Sequence, residues 1–476
     1  MLFNSIQFAI FFVIVTFIYF TINHRYRWFL LLASSCYFYM VFVPVYILIL
    51  GFTIIVDYFA GIYLEETEGK KRKVFLVASL IANIGVLAVF KYYNFLNGNL
   101  SVFLNDIGFQ NPIPFLSIIL PIGLSFHTFQ AMAYTIEVYR GHQKAERHFG
   151  IYALYVMFYP QLVAGPIERP QNLIHQFYEK HIFEYSRIIE GLQLMLWGLF
   201  KKIVIADRLA IYVNAIYNNS EHHNGMTLLV ATIFFAFQIY CDFSGYSDIA
   251  IGAAKVMGFK LMINFNRPYF SSSISEFWKR WHISLSSWFK DYFYISLGGN
   301  RVSVPRWYFN LFFVFLISGL WHGANWTFII WGALNGFYLV FAIITQGLRD
   351  KFDVLTGLDR FPRINHTIQI LTTFCLACFA WIFFRANNVT DAFNIIEKIF
   401  SFSGSIYWMD PYSIAYSFFG IVFLIIVDSK KEYYRGSFSF FNNKNWIVRN
   451  LSYAMLIILI VLVGVLDGGQ FIYFQF

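Results

Sequence analysis

Two histidines stand where this apolar chain could move a proton. His322 lies in Ser318-Gly319-Leu320-Trp321-His322-Gly323-Ala324-Asn325-Trp326, at the centre of the almost wholly apolar run 312–344. An ionisable group inside a hydrocarbon-spanning segment is costly, and it usually faces a cavity where it does work. A neutral imidazole can accept a proton from a hydroxyl near neutral pH, which few side chains can do. Gly319 and Gly323 would let the backbone approach a substrate closely. Trp321, Trp326 and Trp331 are candidate walls, and Asn325, three residues on, could hydrogen-bond nearby. His282, in Trp281-His282-Ile283-Ser284-Leu285-Ser286, is the second candidate. For both histidines the residues alone leave a second reading open, an imidazole bonded to a neighbouring helix.

The surrounding sequence says what must position them. Hydrophobic residues make up 58% of the 476, charged residues 13% and aromatics 22%. Many apolar runs approach the roughly 20 residues a spanning helix needs, and they are continuous rather than alternating, which argues against a barrel. The runs fall at 2–21, 28–42, 45–63, 74–96, 115–138, 149–163, 191–205, 228–240, 308–318, 326–345, 368–384, 416–427 and 451–465. The expectation is an all-α polytopic membrane protein, one integral-membrane domain over 1–476, with roughly 11–13 transmembrane or re-entrant helices. Short, half-crossing pieces survive only when buried in protein or lining a wet cavity.

The net charge of +9 belongs to topology rather than to nucleic acid. Arg25 and Arg27 lie two crossings from Lys70-Lys71-Arg72-Lys73, so both loops share the cytoplasmic side and the N-terminus is expected outside. The basic loop 428–449 is then cytoplasmic, and the C-terminus is outside. The first segment starts at residue 2 without a charged leader and reads as retained. Cys375-x-x-Cys378 has redox spacing but sits in an apolar run, where packing accounts for it. No metal-ligand spacing, phosphate loop or Ser-His-Asp elbow is visible.

The stretch 242–306 is more polar. Asp242-Phe243-Ser244-Gly245-Tyr246-Ser247-Asp248 reads as two acids flanking a Gly turn, able to orient a histidine or to cap a helix. In 276–291, Trp278, Trp281, Leu285 and Trp288 share one helical face, as in an interfacial element. Arg280 and Arg301 could fork onto coenzyme phosphates or simply mark the cytoplasmic side.

Several blocks resemble the alginate-type branch of the membrane-bound O-acyltransferases. They are Trp281-His282-Ile283-Ser284-Leu285-Ser286, Asp291-Tyr292-Phe293-Tyr294-Ile295-Ser296-Leu297-Gly298-Gly299-Asn300-Arg301, the 242–250 block, Gly319-Leu320-Trp321-His322-Gly323, and Val163-Ala164-Gly165-Pro166-Ile167-Glu168-Arg169-Pro170. The resemblance implies helices around a tunnel, with His322 catalytic and His282 close to it. It implies a cytoplasmic acyl-coenzyme A as donor, taken here as acetyl-coenzyme A; Arg280, Arg301, Trp281 and Asn325 are the candidate coenzyme contacts, and no metal is expected. It implies the bacterial inner membrane with its lipid, a cell-envelope polysaccharide (peptidoglycan or an alginate-like polymer) as final acceptor, and a periplasmic or extracellular acetyltransferase as partner.

The segment 467–476 ends in Phe471-Ile472-Tyr473-Phe474-Gln475-Phe476 after a flexible Asp467-Gly468-Gly469 joint. About seven residues beyond that joint could reach ~20–25 Å. Tyr473 carries the only hydroxyl among those last six residues, and a phenol needs a base to act as a nucleophile. The pattern F-x-Y-x-x-F resembles the terminal acyl-shuttle motif of the small partner protein in teichoic acid D-alanylation, which implies an acyl-Tyr473 relay. An aromatic anchor at the interface is the other reading. Two further functions stay open: D-alanyl transfer from a carrier protein, and a proton-coupled transporter using both histidines, although no hydropathy symmetry between halves is seen.

Overall fold

Apolar length and buried glycine decide this architecture. In the computed structural model, the described residues are 1–117, 121, 123–163, 165–434, 443, 445–466 and 471–472. Among them the regular structure is helical throughout. Among the described residues, seven helices are long and apolar enough to cross a membrane: Pro44–Glu66, Gly69–Asp106, Gly225–Met257, Val304–His322, Trp326–Ile344, Pro362–Arg385 and Trp446–Val463. Shorter pieces complete the all-α polytopic fold. The expected run 149–163 breaks at Phe158 into Phe149–Met157 and Tyr159–Leu162. Neither piece is long enough to span, and both are buried apart from Phe149, as exposed backbone polarity in lipid would demand. The run expected at 115–138 becomes helical only at Leu124, after Gly123 turns the chain at φ 76°.

The chain divides into two units, Met1–Met195 with Ala250–Met262, and Leu196–Ile249 with Ile263–Phe476. The first is knit by a buried polar node. Asp57 is fully buried and accepts from Ser79 Oγ at 2.6 Å and from Asn83 Nδ2 at 2.8 Å, so the helices Pro44–Glu66 and Gly69–Asp106 are tied without an unmet charge-bearing group. Arg27, expected as a topology marker, is itself buried and donates to the His181 carbonyl at 2.6 Å. Glu168 is buried as well. It accepts from the Met262 amide, and burial pushes its carboxyl up to about 7.

In the second unit, two expectations are corrected. The 242–248 block is no turn: it lies inside the Gly225–Met257 helix, which runs well past residue 240. Gly245 serves as a close-approach point, since a Cβ there would come 2.8 Å from the Gly198 carbonyl. The 276–291 stretch is not one amphipathic helix. It breaks into Ile274–Arg280 and Ile283–Trp288 around His282, whose backbone is left-handed at φ 43°. The break is held by the neighbouring chain: Ile283 N donates to the Asn264 carbonyl at 2.9 Å, and Asn266 N donates to the Arg280 carbonyl at 2.9 Å.

The helices Val304–His322 and Trp326–Ile344 pack as a hairpin through glycine. A Cβ on Gly319 would stand 2.9 Å from Gly332 Cα, and one on Gly336 would stand 3.0 Å from Phe312 Cα. Such contact between backbones fixes the end of the first helix, and with it His322.

Candidate active site

His322 is the last residue of its helix, with Gly323 extending the chain beyond it. Its side chain is buried, retaining 4% exposure. Three rings meet the imidazole edge to face: Trp321 and Trp331 at 4.9 Å each, and Phe384 at 5.5 Å. Trp331 continues to Trp381 at 5.8 Å, and Trp381 to Trp281 at 5.1 Å. This run of rings joins the His322 cage to the residue beside His282. Trp278 closes one side, 5.7 Å from Trp331, and donates its indole N–H to Asn335 Oδ1 at 3.2 Å. Asn335 in turn donates to the Trp331 carbonyl at 2.8 Å. Trp326 is not a wall. It is 52% exposed and starts the next helix.

His282 is fully buried, and burial lowers its pKa to about 3, so the ring is neutral at physiological pH. Its Nδ1 lies 3.2 Å from Asn264 Oδ1. That oxygen also accepts from Ser284 N at 3.2 Å and from Ser284 Oγ at 2.9 Å, while Asn264 Nδ2 donates to Ser247 Oγ at 3.1 Å. An amide oxygen only accepts, so the network assigns the ring proton to Nδ1 and leaves Nε2 as the basic nitrogen. Phe243 packs against the ring at 4.6 Å.

A π-helical turn at Phe200–Ala206 carries two buried lysines toward the acids of the 242–248 block. Lys202 Nζ pairs with Asp207 Oδ1 at 2.6 Å and Asp242 Oδ1 at 2.8 Å. Lys201 Nζ pairs with Asp248 Oδ2 at 2.7 Å and donates to Ser244 Oγ at 2.8 Å. The acids thus hold lysines rather than a histidine. Asp242 uses its other oxygen, Oδ2, to accept the backbone N–H of Ile472 at 2.7 Å.

The remaining sequence candidates separate. Trp281 belongs to the aromatic wall and is 1% exposed. Arg280 is engaged by two acids, Glu276 at 2.6 Å and Glu432 at 2.9 Å. Arg301 is exposed. Asn325 caps the Trp326–Ile344 helix, accepting from Thr327 N at 3.1 Å, and donates to the Asn387 carbonyl at 3.2 Å. Tyr473 lies outside the described residues, as does most of 467–476. Among the described residues, no group of three metal-ligating side chains comes together. Sequence reasoning missed Asn264, Asn335, Trp381 and Lys202. Asn264 had a signal, a polar residue in the Asn264-Phe265-Asn266-Arg267-Pro268 stretch, and Lys202 had one, a charge inside the apolar run 191–205; Asn335 and Trp381 sit in apolar runs that look like packing.

A family model described as the membrane-bound O-acyltransferase family matches residues 142–386. A probable alginate O-acetylase of Pseudomonas aeruginosa is 39% identical over 387 residues, 81% of this chain and 72% of that protein. A peptidoglycan O-acetyltransferase of Helicobacter pylori is 36% identical over 401 residues, 79% of this chain and 74% of that protein. A teichoic acid D-alanyltransferase of Bacillus subtilis is similar at 26% over 276 residues, 55% of this chain and 68% of that protein.

Proposed function

This chain belongs to the membrane-bound O-acyltransferase family and is an acyltransferase, and we propose that it passes acetyl groups across the bacterial inner membrane for O-acetylation of a cell-envelope polysaccharide. The donor is cytoplasmic acetyl-coenzyme A, a substrate. The polymer is peptidoglycan or an alginate-type chain, and a periplasmic or extracellular acetyltransferase completes delivery. The N- and C-termini face outward, and lipid surrounds the exposed apolar helices.

One observation carries the reading: an imidazole, His322, sits in an aromatic cage at the end of a spanning helix. Water is largely excluded there, and the cost of an ionisable group in such a place is met by use. His322 accepts the phenol proton of Tyr473 as its oxygen attacks the thioester carbonyl. The C–S bond breaks, the proton passes to the departing thiolate, and coenzyme A leaves as the free thiol. Tyr473 then carries the acetyl ester outward, where the partner's acceptor hydroxyl takes it and the phenol is restored. His282, neutral with Nε2 basic, lies at the other end of the aromatic run.

The test is mass spectrometry of the C-terminal peptide after incubation of the purified chain with acetyl-coenzyme A. The expected result is one acetyl group on Tyr473, absent in Tyr473→Phe together with loss of delivery. Full delivery by Tyr473→Phe would reduce the tail to an anchor. Labelling only from a D-alanyl carrier protein would move the donor to that class, and no donor turnover at all would favour a transporter.

A further inference from the structure

The acids of the 242–248 block hold more than lysines. Asp242 lies on the Gly225–Met257 helix and is buried, with each carboxylate oxygen committed. Oδ1 faces Lys202, which is fully buried between Asp242 and Asp207. One ammonium against two carboxylates leaves negative charge to spare. Oδ2 spends it on the backbone N–H of Ile472, 2.7 Å away and 230 residues along the chain. The residue before it, Phe471, is fully buried, its ring 4.5 Å from Tyr246 and 5.5 Å from Phe243. Phe243 in turn meets the His282 ring at 4.6 Å.

A buried N–H must find an acceptor, and here the acceptor is an ion held by another ion. We propose that Asp242, Phe243 and Tyr246 form a docking site for the chain's own C-terminal peptide, reading one aromatic ring and one backbone N–H immediately before Tyr473. Asp242 is therefore a positioning residue. It acts by seating the segment that carries the hydroxyl. The proposal rests on the relay reading for its purpose, but the docking itself does not require Tyr473 to be acetylated.

Asp242→Asn is the informative change. Asparagine has one acceptor oxygen where two are used. If that oxygen stays on Lys202, the amide NH2 is turned toward the Ile472 N–H, donor against donor. Phe471→Ala removes the ring from the other partner and leaves the Lys202 ion pairs intact.

The experiment is hydrogen exchange of the full-length protein in detergent, read at the Ile472 amide, with single-turnover acetylation of Tyr473 measured in parallel. Protection at Ile472 falls roughly ten- to hundredfold in Asp242→Asn, the range expected for losing a hydrogen bond to a charged group. It falls in Phe471→Ala too, while amides within the Gly225–Met257 helix keep their protection. Tyr473→Phe leaves Ile472 protected. Acetylation of Tyr473 slows in both docking variants. If Asp242→Asn loosens the whole helix, Phe471→Ala decides by itself. Unchanged Ile472 protection in Phe471→Ala overturns the proposal. Protection that depends on Asp242 and Phe471 in a protein whose Tyr473 never takes acetyl would sustain the docking site and defeat the relay.

Discussion

Nδ1 of His282 lies 3.2 Å from Oδ1 of Asn264, and the same oxygen gathers the amide and the hydroxyl of Ser284. One side chain thus sets the tautomer of a buried imidazole and also holds the break between two helices. The left-handed backbone of His282 costs roughly 1–2 kcal/mol in an L-residue, and these bonds offset it.

Asn264→Ala removes that oxygen. Three donors lose their acceptor, at about 1–3 kcal/mol for each group left buried and unmet. The variant should melt several degrees lower in detergent and lose acetyl transfer, because Nδ1 no longer has a partner that fixes the proton. Thermal unfolding followed with donor turnover on the same sample is the check; a variant that melts early but turns over normally would make Asn264 a purely structural brace.

Acid should destabilise the fold through His282. Its folded pKa is depressed by burial to about 3, below the ordinary value of about 6.5. Between those values the unfolded chain binds a proton that the folded chain does not. The stabilisation is complete above the unfolded value and is lost as pH falls, by roughly 1.4 kcal/mol per pH unit. Melting curves from pH 7 to 4.5 should show a slope that His282→Gln reduces. Identical slopes in the two proteins would remove His282 from the account.

His322→Ala takes away the proposed base. General-base catalysis contributes roughly a hundred- to ten-thousandfold, so acetyl-coenzyme A turnover should fall by that order while the protein still elutes as a folded species. Normal envelope acetylation in cells carrying this variant would sink the assignment.

Gly319→Ala tests whether the hairpin places His322. The added Cβ would meet the Phe328 carbonyl and stand 2.9 Å from Gly332 Cα, backbone that has nowhere to go. Overpacking of this kind costs about 1–3 kcal/mol, and displacement of a reacting group by about 1 Å costs on the order of a hundredfold in rate. The readout is kcat alongside the melting temperature, and unchanged kcat would mean the helix end is not what positions the ring.

Arg301→Ala examines the donor's phosphates. This side chain is exposed, whereas Arg280 is committed to Glu276 and Glu432. A screened surface contact supports a rise in KM for acetyl-coenzyme A of up to about fivefold with little change in kcat. A KM that does not move leaves Arg301 as a topology signal only.

The sequence alone determined the class of this protein. Long continuous apolar runs force helices, because lipid offers the backbone no other hydrogen-bond partner. A histidine inside such a run, flanked by glycine and tryptophan, marked His322 without coordinates. Local spacing could not show that Phe384 and Trp331 converge around that ring with Trp381 behind Trp331, because a tryptophan in an apolar run looks the same whether it packs or encloses. It could not show that the helical face read across 276–291 breaks at His282, since the cause is Asn264, brought alongside by the fold. Nor could it join Asp242 to Ile472. Those two residues meet because a buried charge and a buried backbone N–H each need a partner, and only the folded chain supplies one to the other.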